Sequence, residues 1–353
     1  MYASHADACL YSYYASKISK KYEKLIRGLN IDNHILAYRR ISGKCNIDFA
    51  RDVFSSIAKR KQCCALAFDI SKFFDMINHA MLKQELAYTI GETTLPIDYY
   101  KVFRSLTKFS SANKDLLLKL LGISKHNIKG RRLCNINDFR DKVRTSGLIE
   151  THKEVFGIPQ GSPLSGLLSN IALLNFDVQL SAAARKRQAL YYRYSDDILV
   201  VCECKDADYF NSLVEDALAK LNLKTNNKTK RHYFSTAYGR LVADTPLQYL
   251  GFMFDGTNVS IRSSSLIRFQ AKISRRISQA IKSRDKHNKV RANTGQKPRE
   301  LFKQSLLSSS THLGKRNFIR YGLRASSIFA SPVIRRQIAR LGRQFFGALK
   351  EKA

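Results

Sequence analysis

Two segments near the C-terminus repeat apolar residues at three- and four-residue steps, which predicts two amphipathic helices. In the first segment the apolar residues are Leu266, Phe269, Ile273, Ile277 and Ile281. In the second they are Val333, Ile334, Ile338, Leu341, Phe345 and Leu349. The second segment opens with Ser331-Pro332, a pattern typical of an N-cap followed by proline in the first turn. Residues 283–298, between the segments, are polar and almost free of apolar residues, so we expect a loop there.

Shorter apolar runs upstream predict β-strands that lead to acidic residues. Residues 65–71 read as a buried strand that reaches Asp69, and a turn into a helix follows. Residues 191–202 hold two β-prone runs around Asp196-Asp197, which predicts a hairpin with both carboxylates at its tip. Taken singly, each acidic site is more often a cap or an exposed turn.

A loop rich in Gly, Ser and Pro lies between these strands. It runs from Gly157 into an apolar helix predicted to reach about Ala184, and another helix is predicted near residues 206–221. Such a loop lets the backbone approach a ligand closely, although an ordinary helix entry has the same composition. The order strand, helix, hairpin, helix is compatible with an α+β fold in which a split β-α-β unit carries Asp69 and Asp196 to one rim.

The charge balance favours a polyanionic partner. The 353 residues include 61 Lys and Arg against 28 Asp and Glu, a formal net charge of +33. Residues 262–353 hold 23 basic and three acidic residues, so +20 of this charge lies in the two predicted helices and their surroundings. A helical bundle with one apolar and one cationic face suits a phosphate backbone, and nucleic acid is the favoured partner. A solvated helix surface and an anionic-membrane binder are the alternatives.

Cysteine usage and hydropathy exclude other classes. The seven cysteines show no C-x-x-C spacing, which argues against a disulfide scaffold and for a reducing compartment. No window of 18 residues is free of polar groups, so we expect no membrane span. The first residues lack the cationic and apolar regions of a secretory signal. These features predict a cytoplasmic protein.

The acidic residues suggest the kind of metal that the chain would bind. Asp196 and Asp197 are adjacent and repel each other, and a cation would remove that repulsion. Carboxylate oxygens without nearby His or Cys in the sequence suit Mg²⁺ rather than zinc.

Three ordered motifs resemble those of a known family. F-D-I-S-K-F-F-D at 68–75, P-Q-G-S-P-L-S-G-L-L-S-N-I at 159–171 and Y-S-D-D at 194–197 look like motifs A, B and C of the reverse transcriptase palm. Leu247–Phe252 resembles motif E, the primer-grip hairpin. The chain is most similar to bacterial group II intron, retron and defence-associated enzymes. The resemblance implies a right-hand polymerase with a ferredoxin-like palm, helical fingers and an α-helical thumb.

The resemblance also implies a division of the chain. The expected parts are 1–64 for the N-terminal fingers, 65–84 for palm motif A, 85–154 for fingers or an insertion, 155–262 for palm motifs B to E, and 263–353 for a basic helical thumb. The insertion contains predicted helices at residues 99–109 and 115–121 and a basic stretch at 129–132. The implied activity is RNA-directed DNA polymerisation, a nucleotidyl transfer with a dNTP as substrate and DNA as product.

Site roles follow from the resemblance, position by position. Asp69, Asp196 and Asp197, with the backbone carbonyl of Ile70, would hold two Mg²⁺ ions. Phe74, five residues after Asp69, would exclude a ribose 2′-hydroxyl and so select deoxynucleotides.

Further positions are implied for nucleotide and nucleic-acid binding. Gln160 and Gly161 would contact the nascent base pair, and Lys228 would protonate pyrophosphate. Arg39 and Arg40 would grip the triphosphate or, equally, bind a nucleic-acid backbone. The expected nucleic-acid contacts are Tyr249, Leu250 and Gly251 in the primer grip and Arg268, Lys272, Arg275 and Arg276 in the thumb.

Departures from the family leave alternatives open. The sequence has no clear K-x-x-G-x-x-R fingers hairpin, no His-Asn-His endonuclease pattern and no retron Val-Thr-Gly signature. We therefore expect a stand-alone enzyme of antiviral defence, templated by a structured noncoding RNA, with homo- or hetero-oligomers left open. Template-independent or protein-templated DNA synthesis is one alternative, and a non-catalytic RNA-binding palm scaffold is another.

Overall fold

The computed structural model describes residues 5–41, 43–124, 128, 132–226 and 230–352. Within them the helices are α1 His5–Gly28, α2 Asn46–Ala58, α3 Phe73–Met76, α4 His79–Ile90, α5 Ile97–Thr107, α6 Lys114–Leu120, α7 Ile136–Asp138, α8 Ser165–Ala172, α9 Leu174–Lys186, α10 Ala207–Ala219, α11 Ser263–Asn293, α12 Gln304–Ser310, α13 Phe318–Ile328 and α14 Pro332–Lys352. A π-helical turn at Phe139–Val143 and a 3₁₀ turn at Cys204–Asp206 complete the helical segments of the described residues.

The strands are short and belong to three sheets. They are β1 Gln62–Asp69, β2 Ser110–Ala112, β3 Ile149–Thr151, β4 Leu190–Tyr194, β5 Asp197–Cys202, β6 Lys230–Ala237, β7 Arg240–Ala243, β8 Leu247–Tyr249, β9 Phe252–Phe254 and β10 Val259–Ile261. Long helices beside sheets confirm the predicted α+β class.

The chain folds into two compact units, each assembled from several segments. Unit 1 comprises Met1–Arg39, Ala67–Val200 and Asp208–Lys230. Unit 2 comprises Arg40–Leu66, Val201–Ala207 and Arg231–Ala353.

Unit 1 places helices α1, α4 and α8 against one another beside the strands β4, β5 and the end of β1, which are neighbours in that order. Helices α8 and α9 are not the single predicted helix, because the chain bends by 52° at their junction. Leu173 at the junction has φ −103° and ψ 15°, which departs from helical geometry. Among the described residues no single helix is long and apolar enough to cross a membrane, and the bent pair α8–α9 meets that requirement only together.

Unit 2 contains the start of β1 beside β6 and β7, an antiparallel sheet of β8, β9 and β10, and the C-terminal helices. Apolar faces of α11, α12 and α14 form a core with Leu301. Its buried members are Ile273, Ile277, Leu301, Leu306, Phe345 and Leu349. The predicted start of α14 is confirmed, since the Ser331 hydroxyl accepts a hydrogen bond from Ile334 N at 3.2 Å and Pro332 begins the helix.

The loop predicted for residues 283–298 is wrong over most of its length. Helix α11 continues to Asn293, because Lys, Arg and Ala are good helix formers and no Gly or Pro interrupts the run before Gly295. Gly295 adopts φ 68°, the left-handed conformation that ends helices, and Asn288 then binds the backbone of Arg299. Polarity alone did not distinguish a solvated helix from a loop.

Candidate active site

Unit 1 brings the ends of two neighbouring strands together at an acidic rim. Asp69 is the last residue of β1, and Asp196 lies in the two-residue turn between β4 and β5. The amide of Ile70 donates a hydrogen bond to the carbonyl oxygen of Asp196 at 3.2 Å. The end of β1 therefore lies beside the start of β5, and the two strands run in opposite directions. Both Asp residues are partly exposed, so this rim lies at the protein surface.

Asn226 holds the Asp69 side of this rim. Its amide donates to the Asp69 carbonyl at 2.7 Å, and its side-chain Nδ2 donates to Asp69 Oδ2 at 3.2 Å. This contact orients one carboxylate oxygen of Asp69. The sequence analysis did not select Asn226, although it lies two residues before Lys228, which is outside the described residues.

The chemistry of the rim fits an oxygen-preferring divalent cation at two carboxylates. Asp69 and Asp196 supply hard oxygen donors at adjacent strand ends, and Asp197 follows as the exposed first residue of β5. Across the described residues, no three Asp, Glu, His or Cys side chains converge closely enough to form a metal-binding group. The backbone contact places Asp69 and Asp196 at one rim, and among the described residues their side chains do not form a three-residue group with Asp197.

A buried ion pair lies beneath the turn that carries Asp196. Arg193 is fully buried, and its Nε and Nη2 donate to the two carboxylate oxygens of Asp177 at 2.7 and 2.5 Å. Its Nη1 donates to Asn170 Oδ1 and to the Ser195 carbonyl oxygen, both at 3.1 Å. Ser195 adopts φ 62°, so the turn needs a left-handed residue at that position.

The charges of this pair are strongly coupled. Burial alone would lower the pKa of Arg193, but the Asp177 carboxylate raises that pKa above its ordinary value. The hydroxyl of Tyr191 donates to Asp177 Oδ1 at 2.5 Å, and burial together with Asp177 raises the pKa of Tyr191 well above its usual range. Arg193 therefore keeps its positive charge although it is buried, and the sequence analysis selected none of these residues.

The loop of motif B is fixed by backbone contacts to the turn after β1. Gly157 N donates to Ile77 O at 2.8 Å, and Ile158 N donates to Phe74 O at 2.9 Å. Gly157 has φ 90°, and a Cβ there would lie 2.9 Å from the Asp75 carbonyl oxygen, so this position requires glycine. The loop beyond it stays open to solvent.

The residues expected to contact nucleotide lie in different environments. Gln160 and Gly161 are exposed at the free part of the motif B loop. Phe74 is half-buried, whereas its neighbour Phe73 is 3% exposed and belongs to the core. Arg40 is exposed.

The expectation that Arg39 grips a triphosphate does not agree with its position. Its guanidinium forms a two-bond ion pair with Glu23 at 2.8 Å and also donates to the carbonyl oxygens of Asp32 and Ile35. The side chain is 5% exposed. Arg39 therefore attaches the loop after α1 to that helix and has a structural role.

The expected nucleic-acid contacts all belong to unit 2. Tyr249 is buried, so its side chain cannot meet a primer, whereas Leu250 and Gly251 form the β8–β9 turn with φ 46° and 90°. On α11, Arg268, Lys272 and Arg275 are exposed and Arg276 is half-buried. Three of these cations line a cavity of about 570 Å³ together with two aromatic rings. The five residues are Arg268, Lys272, Arg276, Phe269 and Phe318.

Comparison with known families gives a match over most of the chain. The family model described as reverse transcriptase (RNA-dependent DNA polymerase) matches residues 12–254. No curated protein sequence matches the chain.

Solved structures of fungal telomerases share a distant likeness. Apo telomerase from Candida tropicalis, truncated from its C-terminal domain, has 14% identity and a TM-score of 0.47, with 70% of this chain and 44% of that chain covered. The longer apo form has 11% identity and a TM-score of 0.47, with 97% of this chain and 51% of that chain covered. Telomerase from Candida albicans with a fragment of telomeric RNA has 12% identity and a TM-score of 0.46, with 94% of this chain and 47% of that chain covered. The chain thus spans about half the length of these structures, and the family assignment rests on the match over residues 12–254 alone.

Proposed function

The chain belongs to the reverse transcriptase family, and on that premise we propose that it adds deoxynucleotides to a primer 3′ end by copying RNA. The observation that carries the proposal is the Asp69–Asp196 rim, in which the Ile70 amide joins the two strand ends at 3.2 Å. Nucleotidyl transfer needs carboxylates at one place to hold cations against a triphosphate, and this rim offers them.

Asp69, Asp196 and Asp197, with the Ile70 carbonyl, would hold two Mg²⁺ ions. When bound, the ions would supply charge stabilisation at the primer hydroxyl and at the triphosphate. Asn226 orients Asp69 through its 3.2 Å hydrogen bond, and Arg193 holds the Ser195 carbonyl and so the turn that presents Asp196. These contacts from Asn226 and Arg193 would keep the Asp69 and Asp196 carboxylates in place before substrate binds.

Phe74 would select the sugar. Its ring is half-buried beside the rim, and a bulky ring under the incoming sugar leaves no space for a 2′-hydroxyl. Phe74→Val should therefore raise incorporation of ribonucleotides relative to deoxynucleotides, measured by primer extension with each nucleotide. An unchanged ratio would remove Phe74 from that role.

The cationic face of α11 would bind the template–primer backbone. Arg268, Lys272 and Arg276 line one cavity, and each phosphate contact that a cation makes releases counterions. Binding of primer–template should therefore weaken steeply between about 50 and 200 mM salt, with a slope that falls by about one unit for Lys272→Ala. A salt-independent affinity would contradict this assignment.

The proposal also includes the template and the biological role. We propose a structured noncoding RNA as template and a role in bacterial antiviral defence in the cytoplasm, on the basis of the motif resemblance and the net charge of +33. Sequencing the nucleic acid that copurifies with the protein tests this point. One abundant RNA with matching complementary DNA supports it, and random cellular RNA without such DNA contradicts it.

Primer extension tests the activity itself. Purified protein, Mg²⁺ and labelled dNTPs are incubated with a primed RNA, a primed DNA or no template. The proposal predicts extension that follows the RNA sequence and is abolished by Asp196→Ala with Asp197→Ala. Asp138→Ala, at a partly exposed site on α7, is the control and should leave extension unchanged. Extension without template would favour template-independent synthesis, and unchanged extension in the double variant would refute the site.

A further inference from the structure

Tyr38 is an exposed aromatic residue in a strained conformation. Its backbone φ is 58°, in the left-handed region that is unfavourable for a residue other than glycine. The residue is 54% exposed, so burial does little to offset that strain. Strained, solvent-facing residues are typical of ligand-binding positions.

The backbone around Tyr38 is held rigidly within unit 1. Arg193 accepts from Leu36 N at 2.9 Å and donates its own amide to His34 O at 2.8 Å. The buried side chain of Asn170 donates to Ala37 O at 2.8 Å. The segment is therefore attached to both β4 and α8, and the position of the Tyr38 ring is set before any ligand binds.

The ring contacts one residue from each of the three catalytic motifs. Its hydroxyl accepts from Ser195 Oγ at 3.3 Å, next to Asp196. The ring packs against Gly166, where an added Cβ would lie 2.6 Å from Cδ1 of the ring. Its edge meets Phe74 in a T-shaped arrangement, with ring centroids 6.4 Å apart and an interplanar angle of 86°.

We propose that Tyr38 is a wall of the pocket for the incoming deoxynucleoside triphosphate and contacts its nucleoside. The inference rests on the proposed function. Phe74 is assigned to the sugar and Asp196 to the cations. The Tyr38 ring contacts Phe74, and its hydroxyl accepts from Ser195, the neighbour of Asp196. An aromatic face of fixed orientation suits a nucleoside, because every base offers a flat surface for stacking.

Steady-state kinetics separate this role from others. Tyr38→Ala should raise the KM for dNTP by roughly 5- to 150-fold, the factor expected from losing one base–aromatic contact, with a much smaller change in kcat and in primer–template affinity. Tyr38→Phe keeps the ring and loses only the Ser195 hydrogen bond, so its KM should stay near wild type. Tyr88→Ala is the matched control, since Tyr88 on α4 is 56% exposed and the proposed pocket does not include it.

A second variant displaces the ring without removing it. Gly166→Ala forces the Tyr38 ring to move, so its KM for dNTP should rise in the same direction. Combined with Tyr38→Ala, the two effects should be less than additive, because both act on one ring. Gly28→Ala, where nothing lies within 4 Å of the added Cβ, is the control.

The outcomes distinguish the inference from the proposed function. If the wild type extends primers and Tyr38→Ala leaves the KM for dNTP unchanged, the inference fails and the proposed function stands. A weakened primer–template affinity with unchanged KM would place Tyr38 on the template strand and also overturn it. If the wild type extends nothing, the proposed function fails, and equilibrium dialysis of labelled dNTP with Mg²⁺ then tests the inference. Weaker dNTP binding by Tyr38→Ala but not by Tyr88→Ala supports it. Equal dNTP binding by Tyr38→Ala and the wild type overturns it.

Discussion

Replacing Arg193 by Met should destabilise the protein far more than replacing any exposed basic residue. Arg193 and Asp177 have 0% exposed side chains, and the guanidinium makes four hydrogen bonds, two to Asp177 and one each to Asn170 and Ser195. Met fills a similar volume but leaves the Asp177 carboxylate buried without its cation, with the hydroxyl of Tyr191 still bonded to it.

The magnitude follows from the charge that remains. Removing one partner of a buried ion pair costs about 3–5 kcal/mol, a large part of the roughly 5–15 kcal/mol that stabilises a domain. Removing both charges, in Arg193→Met with Asp177→Leu, should restore much of this loss, because no uncompensated charge is then buried. The Ser195 carbonyl still loses its donor, so the turn before Asp196 stays less well held.

Urea denaturation followed by circular dichroism measures these differences. The urea concentration at the unfolding midpoint should fall strongly for Arg193→Met, while the slope of the unfolding free energy against urea concentration stays unchanged. The midpoint of the double variant should lie between those of Arg193→Met and the wild type. Lys142→Met is the control, because Lys142 is exposed and an ion pair that water reaches, such as Lys142–Asp138 at 2.8 Å, contributes little to stability. An Arg193→Met variant as stable as Lys142→Met would refute the account of this buried pair.

Three further predictions concern other parts of the chain. Gly314→Ala should lower stability by about 1–3 kcal/mol in urea denaturation, because an added Cβ would overlap the Ser308 carbonyl oxygen; a neutral effect would contradict this packing. Burial lowers the pKa of His79 below 6.5, so the unfolded state binds more protons than the folded state, and the free energy of unfolding should fall as the pH drops below about 6.5. His79→Gln should weaken this dependence of the unfolding free energy on pH. An equal dependence in the variant would exclude His79 as its source. Burial raises the pKa of Cys64 to about 12, so iodoacetamide should label exposed Cys9 in the folded protein but not Cys64, as mass spectrometry would detect; rapid labelling of both would contradict the burial.

The sequence predicted those features whose signals are local. The family was recognised from three short motifs, and the match over residues 12–254 confirms it. The amphipathic helices α11 and α14 were predicted from apolar spacing, and the hairpin around Asp196 from two β-prone runs that flank a turn. Such signals lie within one segment and depend little on the rest of the fold.

Features that depend on distant partners were not predicted. Arg39 was expected to bind either the triphosphate or a nucleic-acid backbone, but its partner Glu23 lies 16 residues earlier, on α1. Arg193 carried a signal that was not used: a charged residue at an inward position of β4, whose burial alternates along the strand. Such a residue requires a buried counter-charge, although spacing alone could not identify Asp177 on α9.

Metal-directed cleavage tests the central claim most directly. Fe²⁺ is substituted for Mg²⁺, and ascorbate with peroxide then generates hydroxyl radicals that cut the backbone next to the bound ion. The account predicts cuts close to both Asp69 and Asp196, suppressed by excess Mg²⁺ and lost in Asp69→Asn and in Asp196→Asn. Cuts near only one of these residues, or an unchanged pattern in both variants, would contradict a shared cation site at this rim.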